Sequence, residues 1–158
     1  TLTTLWMTGN LGNGVSLFFC KVCNFLKLRE IFGKMNKDTI IITNNQKVRE
    51  FFEKERAQVL YIEGDYKDVL YMVRDKVQLN YHLLTHPLSG SIKPNETPYK
   101  SIAIKKEREL DFLSLELISN AIEVYKKLQK DLKTPFWTES ILEDFRVIDL
   151  DLIKNALI

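Results

Sequence analysis

Thr39-Ile40-Ile41-Ile42-Thr43 runs straight into Asn44-Asn45, and this junction sets the pattern for the rest of the chain. Three isoleucines in succession between β-branched threonines predict a strand buried on both faces, because a strand with one wet face alternates apolar and polar residues. The two asparagines are good helix N-caps. They open a predicted helix with Val48, Phe51 and Phe52 along one side. A second strand is expected over 58–63 and is broken by Gly64-Asp65. Asp65 with Asp68 opens a helix whose Tyr66, Val69, Leu70, Val73 and Val77 fall on one stripe. A third strand is expected over 81–85, and a fourth over 101–105 after a polar loop. The longest helix is expected over 111–133, with Leu113, Leu117, Ala121, Tyr125 and Leu132 in one row, and Thr134-Pro135 ends it. Two short helical pieces, 139–145 and 149–157, complete the tail.

Strands alternating with helices predict an α/β fold. The expectation is a small Rossmann-like three-layer sandwich with a mostly parallel sheet of about four strands. In such a sheet the strand C-terminal ends share one edge, where ligands bind. That edge would present Thr43, Asn44, Asn45, Glu63, Gly64, Asp65, Thr85 and His86.

With 158 residues, folding as one domain buries roughly 68–70% of the unfolded chain's surface. An apolar fraction of 45%, with nine Phe and six Tyr, supplies a core without disulfide or metal. The 23 Lys and Arg and the 21 Asp and Glu nearly cancel. They interleave, as in Glu53-Lys54-Glu55-Arg56, instead of clustering into the basic face of a nucleic-acid binder. No apolar run approaches the ~20 residues that span a bilayer. Val15 to Leu28 is broken by Lys21, Asn24 and Lys27 and lacks the marks of a secretory signal. The expectation is a cytoplasmic protein with neither nucleic-acid nor membrane partners.

The first 34 residues differ from the rest. Thr1 to Gly14 is rich in Thr, Gly and Asn without periodicity, and the α/β pattern begins only at Met35. Met35 is therefore read as the native start, with 35–158 a single domain and 1–34 a non-native upstream extension, disordered or loosely attached. Arg29-Glu30, encodable as a purine-rich ribosome-binding run, agrees with this. The only cysteines, in Cys20-Lys21-Val22-Cys23, fall inside that extension. A redox pair needs a strand before it and a helix after it, and zinc needs two more ligands nearby. Neither condition is met, so no metal and no cofactor are expected.

The chemistry concentrates in the loop 86–100, His-Pro-Leu-Ser-Gly-Ser-Ile-Lys-Pro-Asn-Glu-Thr-Pro-Tyr-Lys. Three prolines shape it. Ser89, Gly90, Ser91, Lys93, Asn95, Thr97, Tyr99 and Lys100, with Asn44 and Asn45 from the first junction, are the parts of an anion cradle. The glycine lets backbone N–H groups approach a ligand. Neither Gly-rich nucleotide fingerprint is present. His86, the candidate catalytic residue, could act as a general base or bind an anion, or it could simply cap the strand and order the loop. His82 reads as a strand residue and Asp65 as an N-cap. Ser89 and Ser91 lack the turn that activates a nucleophilic serine.

The phrase 83–101, with Ile42-Thr43-Asn44-Asn45, Ile62-Glu63-Gly64, Leu115-Glu116-Leu117-Ile118 and Asn120-Ala121-Ile122-Glu123, resembles the GrdX family. Its members are small proteins encoded with the glycine, sarcosine and betaine reductase systems of amino-acid-fermenting anaerobic bacteria. The resemblance implies an accessory role beside those reductase subunits and supplies no catalytic residues. It leaves three readings. The first is an accessory or sensing protein whose loop binds a small anion or a partner. The second is a small enzyme acting on an acyl-phosphate or carboxylate metabolite, with His86 as acid–base and Lys93 or Lys100 holding the anion. The third is a purely structural partner.

Overall fold

The computed structural model describes residues 38–88, 90 and 92–157. The expectations for the extension 1–34 and the cysteine pair, and those for Ser89 and Ser91, lie outside the described residues.

Strand β1 (Thr39–Thr43) leads into helix α1 (Gln46–Lys54), then β2 (Gln58–Tyr61), α2 (Tyr66–Gln78) and β3 (Tyr81–Leu83). After the long loop come β4 (Ser101–Lys106), α3 (Phe112–Asp131) and α4 (Glu139–Leu157). The first helix starts as its sequence predicts: Asn45 is the N-cap, its side-chain oxygen accepting from Lys47 N–H at 3.0 Å. Asp65 caps α2 in a reciprocal box with Asp68. A side-chain carbon on Gly64 would collide with the Asp68 carboxylate, so the box requires glycine there.

Strand order is β2-β1-β4-β3. β1 and β2 pair in parallel, whereas β4 runs antiparallel to both β1 and β3. The fold is α/β as expected, but the sheet is mixed, with two of its three pairings antiparallel. The reason is local. A parallel pair needs a crossover long enough to return the chain to the starting end. β3 and β4 are joined by a loop that stays at one edge, so β4 reverses and slots between β1 and β3.

Alternation divides the core between two sheet faces. Ile42, Ile102 and Ile104 face α2 and α3, where Val69, Leu70, Val73, Ile118 and Ile122 complete one cluster. Ile41 and Ala103 face α1 and α4, packing with Val48, Phe52 and Ile153. Both central strands thus have two buried faces, the condition that the triple-isoleucine run anticipates. The α2 stripe is buried throughout. The α3 row is buried only in part: Ala121 and Tyr125 face the core, while Leu113 and Leu132 at its ends are exposed.

The tail is one helix, not two. Arg146-Val147-Ile148 contains no breaker, and Arg146 ties the turns together through Glu139 (2.6 Å) and Glu143 (3.2 Å). Among the described residues no helix is long and apolar enough to cross a membrane.

Candidate functional site

The C-terminal ends of β1, β2 and β3 and the N-terminal end of β4 share one edge of the sheet, as the pairing directions require. The loop between β3 and β4 lies across it, and α4 closes its side.

A polar cluster fastens these parts together. Thr43 and Ser101 exchange a hydroxyl hydrogen bond of 2.7 Å. Asn44 donates through Nδ2 to the carbonyls of Gly64 (3.0 Å) and Pro98 (2.8 Å), and its Oδ1 accepts from Lys100 N–H at 2.9 Å. One side chain therefore fixes the spacing between the β2 exit and the returning loop. Asn45, besides capping α1, donates to Arg146 O (2.8 Å) and to Asp149 Oδ2 (3.0 Å). Asp149 also accepts from Ser101 N–H at Oδ1 (3.1 Å) and from Ser101 Oγ at Oδ2 (2.7 Å). A carboxylate buried at 7% exposure persists only with such donors around it.

The loop is held from outside by aromatic contacts. Trp137 Nε1 donates to Glu96 O at 2.8 Å and its ring meets Phe145 edge-on. The Arg146 guanidinium lies over the Tyr99 ring, 5.1 Å from its centroid. Thr97 Oγ1 accepts from Tyr99 N–H, a local turn that aims the chain into β4.

Between loop and helix lies a cleft lined by Tyr66, Gly90, Ile92, Thr97, Tyr99, Lys100, Phe145, Ile148, Asp149 and Leu152. It encloses about 310 Å³ with its open mouth, and its enclosed part leaves about 20 Å³ for water-sized molecules, room for little more than one water. Gly90 has φ +127°, and a side-chain carbon there would come within 3.1 Å of Leu152. Beyond Tyr66 and Thr97 a wider groove, about 690 Å³ with its open mouth, is lined by Asp65, Pro98, Tyr125, Gln129, Lys133 and Thr134. The Tyr66 and Tyr125 rings stack 5.4 Å apart at the boundary.

Two ionisable side chains of opposite type, Lys100 and Asp149, are thus buried at the cleft. Burial pushes the Lys100 ammonium below its ordinary range, while the Asp149 charge opposes the shift. Burial pushes the Asp149 carboxyl up, against the pull of Ser101, Asn45 and Lys100. Tyr66 is raised as well, first by burial and then by the Asp149 charge.

The cleft gathers only part of the set expected from sequence. Gly90, Thr97, Tyr99 and Lys100 line it. Asn44 and Asn45 are buried behind it as fasteners. Asn95 is buried elsewhere, donating to Leu132 O at 3.0 Å, and its Oδ1 has no partner. Lys93 is exposed and lies outside both spaces. His86 is exposed, and its Nδ1 accepts from Leu88 N–H at 3.1 Å, the bond expected of a loop-ordering histidine. Asp149 escapes the sequence reading, which only places it at the start of a second tail helix, 149–157. Its signal is a carboxylate on the same helical face as Ile153, where a charge is rare unless paired. Among the described residues no three His, Cys, Asp or Glu side chains are grouped to hold a metal ion.

A family model described as GrdX: GrdX-like protein matches residues 40–158. No curated protein and no solved structure matches the chain.

Proposed function

The chain belongs to the GrdX-like family, and from that membership and the cleft's chemistry we propose that it is a non-catalytic accessory protein of a glycine, sarcosine or betaine reductase system. It binds a small ligand bearing an anionic group under the loop 86–100. The observation that carries this reading is the shaped cleft beneath the loop, which Lys100 helps to line. Gly90, Thr97 and Tyr99 complete the binding surface, while Asn44 and Asn45 set its geometry. His86 supports the loop from outside the cleft, which favours binding over acid–base catalysis.

A thermal-shift panel of the full chain against acetate, phosphate, acetyl phosphate, glycine, sarcosine, betaine and common nucleotides tests this. A ligand at a hundredfold its Kd adds about 2.7 kcal/mol, a shift of several degrees at this size. The expected result is a shift that survives His86→Ala and is lost in Lys100→Met. A flat panel would reject the small-ligand reading and turn the search to the reductase subunits as partners. Turnover of acetyl phosphate that His86→Ala abolishes would establish the enzyme instead.

A further inference from the structure

We propose that the wider groove, the one lined by Pro98, Tyr125 and Thr134, receives Phe136 of a second copy of this chain. The exchange is reciprocal and closes a two-fold dimer. It is independent of whether the neighbouring cleft holds a ligand.

Phe136 is fully exposed on the connector between α3 and α4. A lone exposed apolar side chain is ordinary, but this one is held out by a fixed backbone. Asn95 Nδ2 donates to Leu132 O at 3.0 Å, and Gln129 Nε2 donates to Thr134 Oγ1 at 2.8 Å. Pro135 fixes its own φ. Trp137 is pinned to Glu96 O at 2.8 Å and meets Phe145 edge-on. The chain is thus tied down on both sides of Phe136 while its own ring faces solvent. An anchor prepared in this way loses little conformational freedom on binding. Leu132, 61% exposed, adds apolar surface to the same connector.

The matching hole begins two residues away, at Thr134. With its open mouth the groove encloses about 690 Å³, ample for a phenyl ring, and Phe136 does not line its own groove. Gln129 spends both N–H groups of its amide on Tyr125 Oη (3.1 Å) and Thr134 Oγ1. A ring seated there therefore leaves few polar groups stripped of water and unpaired. Two residues of chain span at most about 7 Å, so knob and hole lie side by side. An isologous contact requires this, because one patch must offer both halves to the two-fold axis. Charge is self-complementary as well. Asp65 and Lys133 both line the groove and are exposed, so Lys133 of each copy meets Asp65 of the partner subunit.

Sedimentation of the full chain over a concentration series tests this. Wild type should dimerise reversibly. Phe136→Ser removes both anchors at once and should raise the dimer Kd at least about tenfold. Its far-UV circular dichroism should match wild type, because the ring is exposed in the single copy. Lys133→Glu sets a like charge against Asp65 of the partner subunit and should also weaken the dimer, more at low salt than at high. That variant reads the same contact through a second side chain, so the test stays decisive if Phe136→Ser folds poorly. A chain that remains monomeric throughout the series, as it does if Phe136 anchors a different protein, would overturn the proposal. A dimer that both variants leave intact would overturn it too, by placing the interface elsewhere.

Discussion

Asp149 holds together parts that are far apart in sequence, joining the α1 cap at Asn45 to the start of β4 at Ser101. Its pH behaviour is set by the direction of its shift. Burial raises its pKa in the folded protein, so the folded state holds that proton more tightly than the unfolded chain, whose value is near 3.9. The resulting stability is fully present below the unfolded value and is lost as pH rises through the folded one. Wild type should therefore gain stability relative to Asp149→Asn as pH falls from 7 to about 4, close to the unfolded value. Urea unfolding of both proteins at the two pH values measures this, and a gap that narrows on acidification would contradict it. Lys100 behaves conversely. Its pKa is lowered, so its contribution is fully present above the unfolded value near 10.4 and is lost as pH falls through the folded one.

At the scale of elements, what could be read in the sequence depended on how local the cause was. The N-caps Asn45 and Asp65 act within a single turn, and both are found where the residue types predict them. Asp65→Ala should cost about 0.5–2 kcal/mol, read as a lower urea midpoint with unchanged slope. A midpoint equal to wild type would mean that Asp68 and water satisfy the α2 start unaided. Strand direction is not a local property. β4 has the same β-branched look whether it runs up or down, and only the lack of a helix among the described residues between Leu83 and Ser101 indicates its reversal. The loop's share of the candidate site was legible for the same reason. The loop announced itself through prolines, hydroxyls and lysines, whereas Tyr66, Leu152 and Asp149 reach the cleft only through packing of α2 and α4.

In the whole molecule the two sheet faces are covered unequally, and the cleft draws on both, taking Tyr66 from the larger cluster and its helix wall from α4. The face toward α2 and α3 buries a cluster that includes Val69, Leu70, Val73, Ile118, Ala121 and Ile122. The opposite face has fewer buried residues, and α4 contributes to them through Ile153, with Leu150 and Leu157 half-buried beside it. The same helix supplies Asp149, Ile148 and Leu152 to the cleft. Local opening tracks the number of buried apolar contacts an element makes, so α4 should release before α2. Hydrogen exchange of the free protein should accordingly show faster amides across 139–157 than across 66–78. A ligand that touches Asp149 binds only the closed form, and mass action then carries its binding energy into the closure of α4. Protection across 139–157 should rise with ligand concentration, and that of α2 should rise by the same free energy, because both openings release the ligand. Equal exchange in the two helices of the free protein would mean that the molecule opens as one unit, and binding would then stabilise the whole domain without passing through its tail.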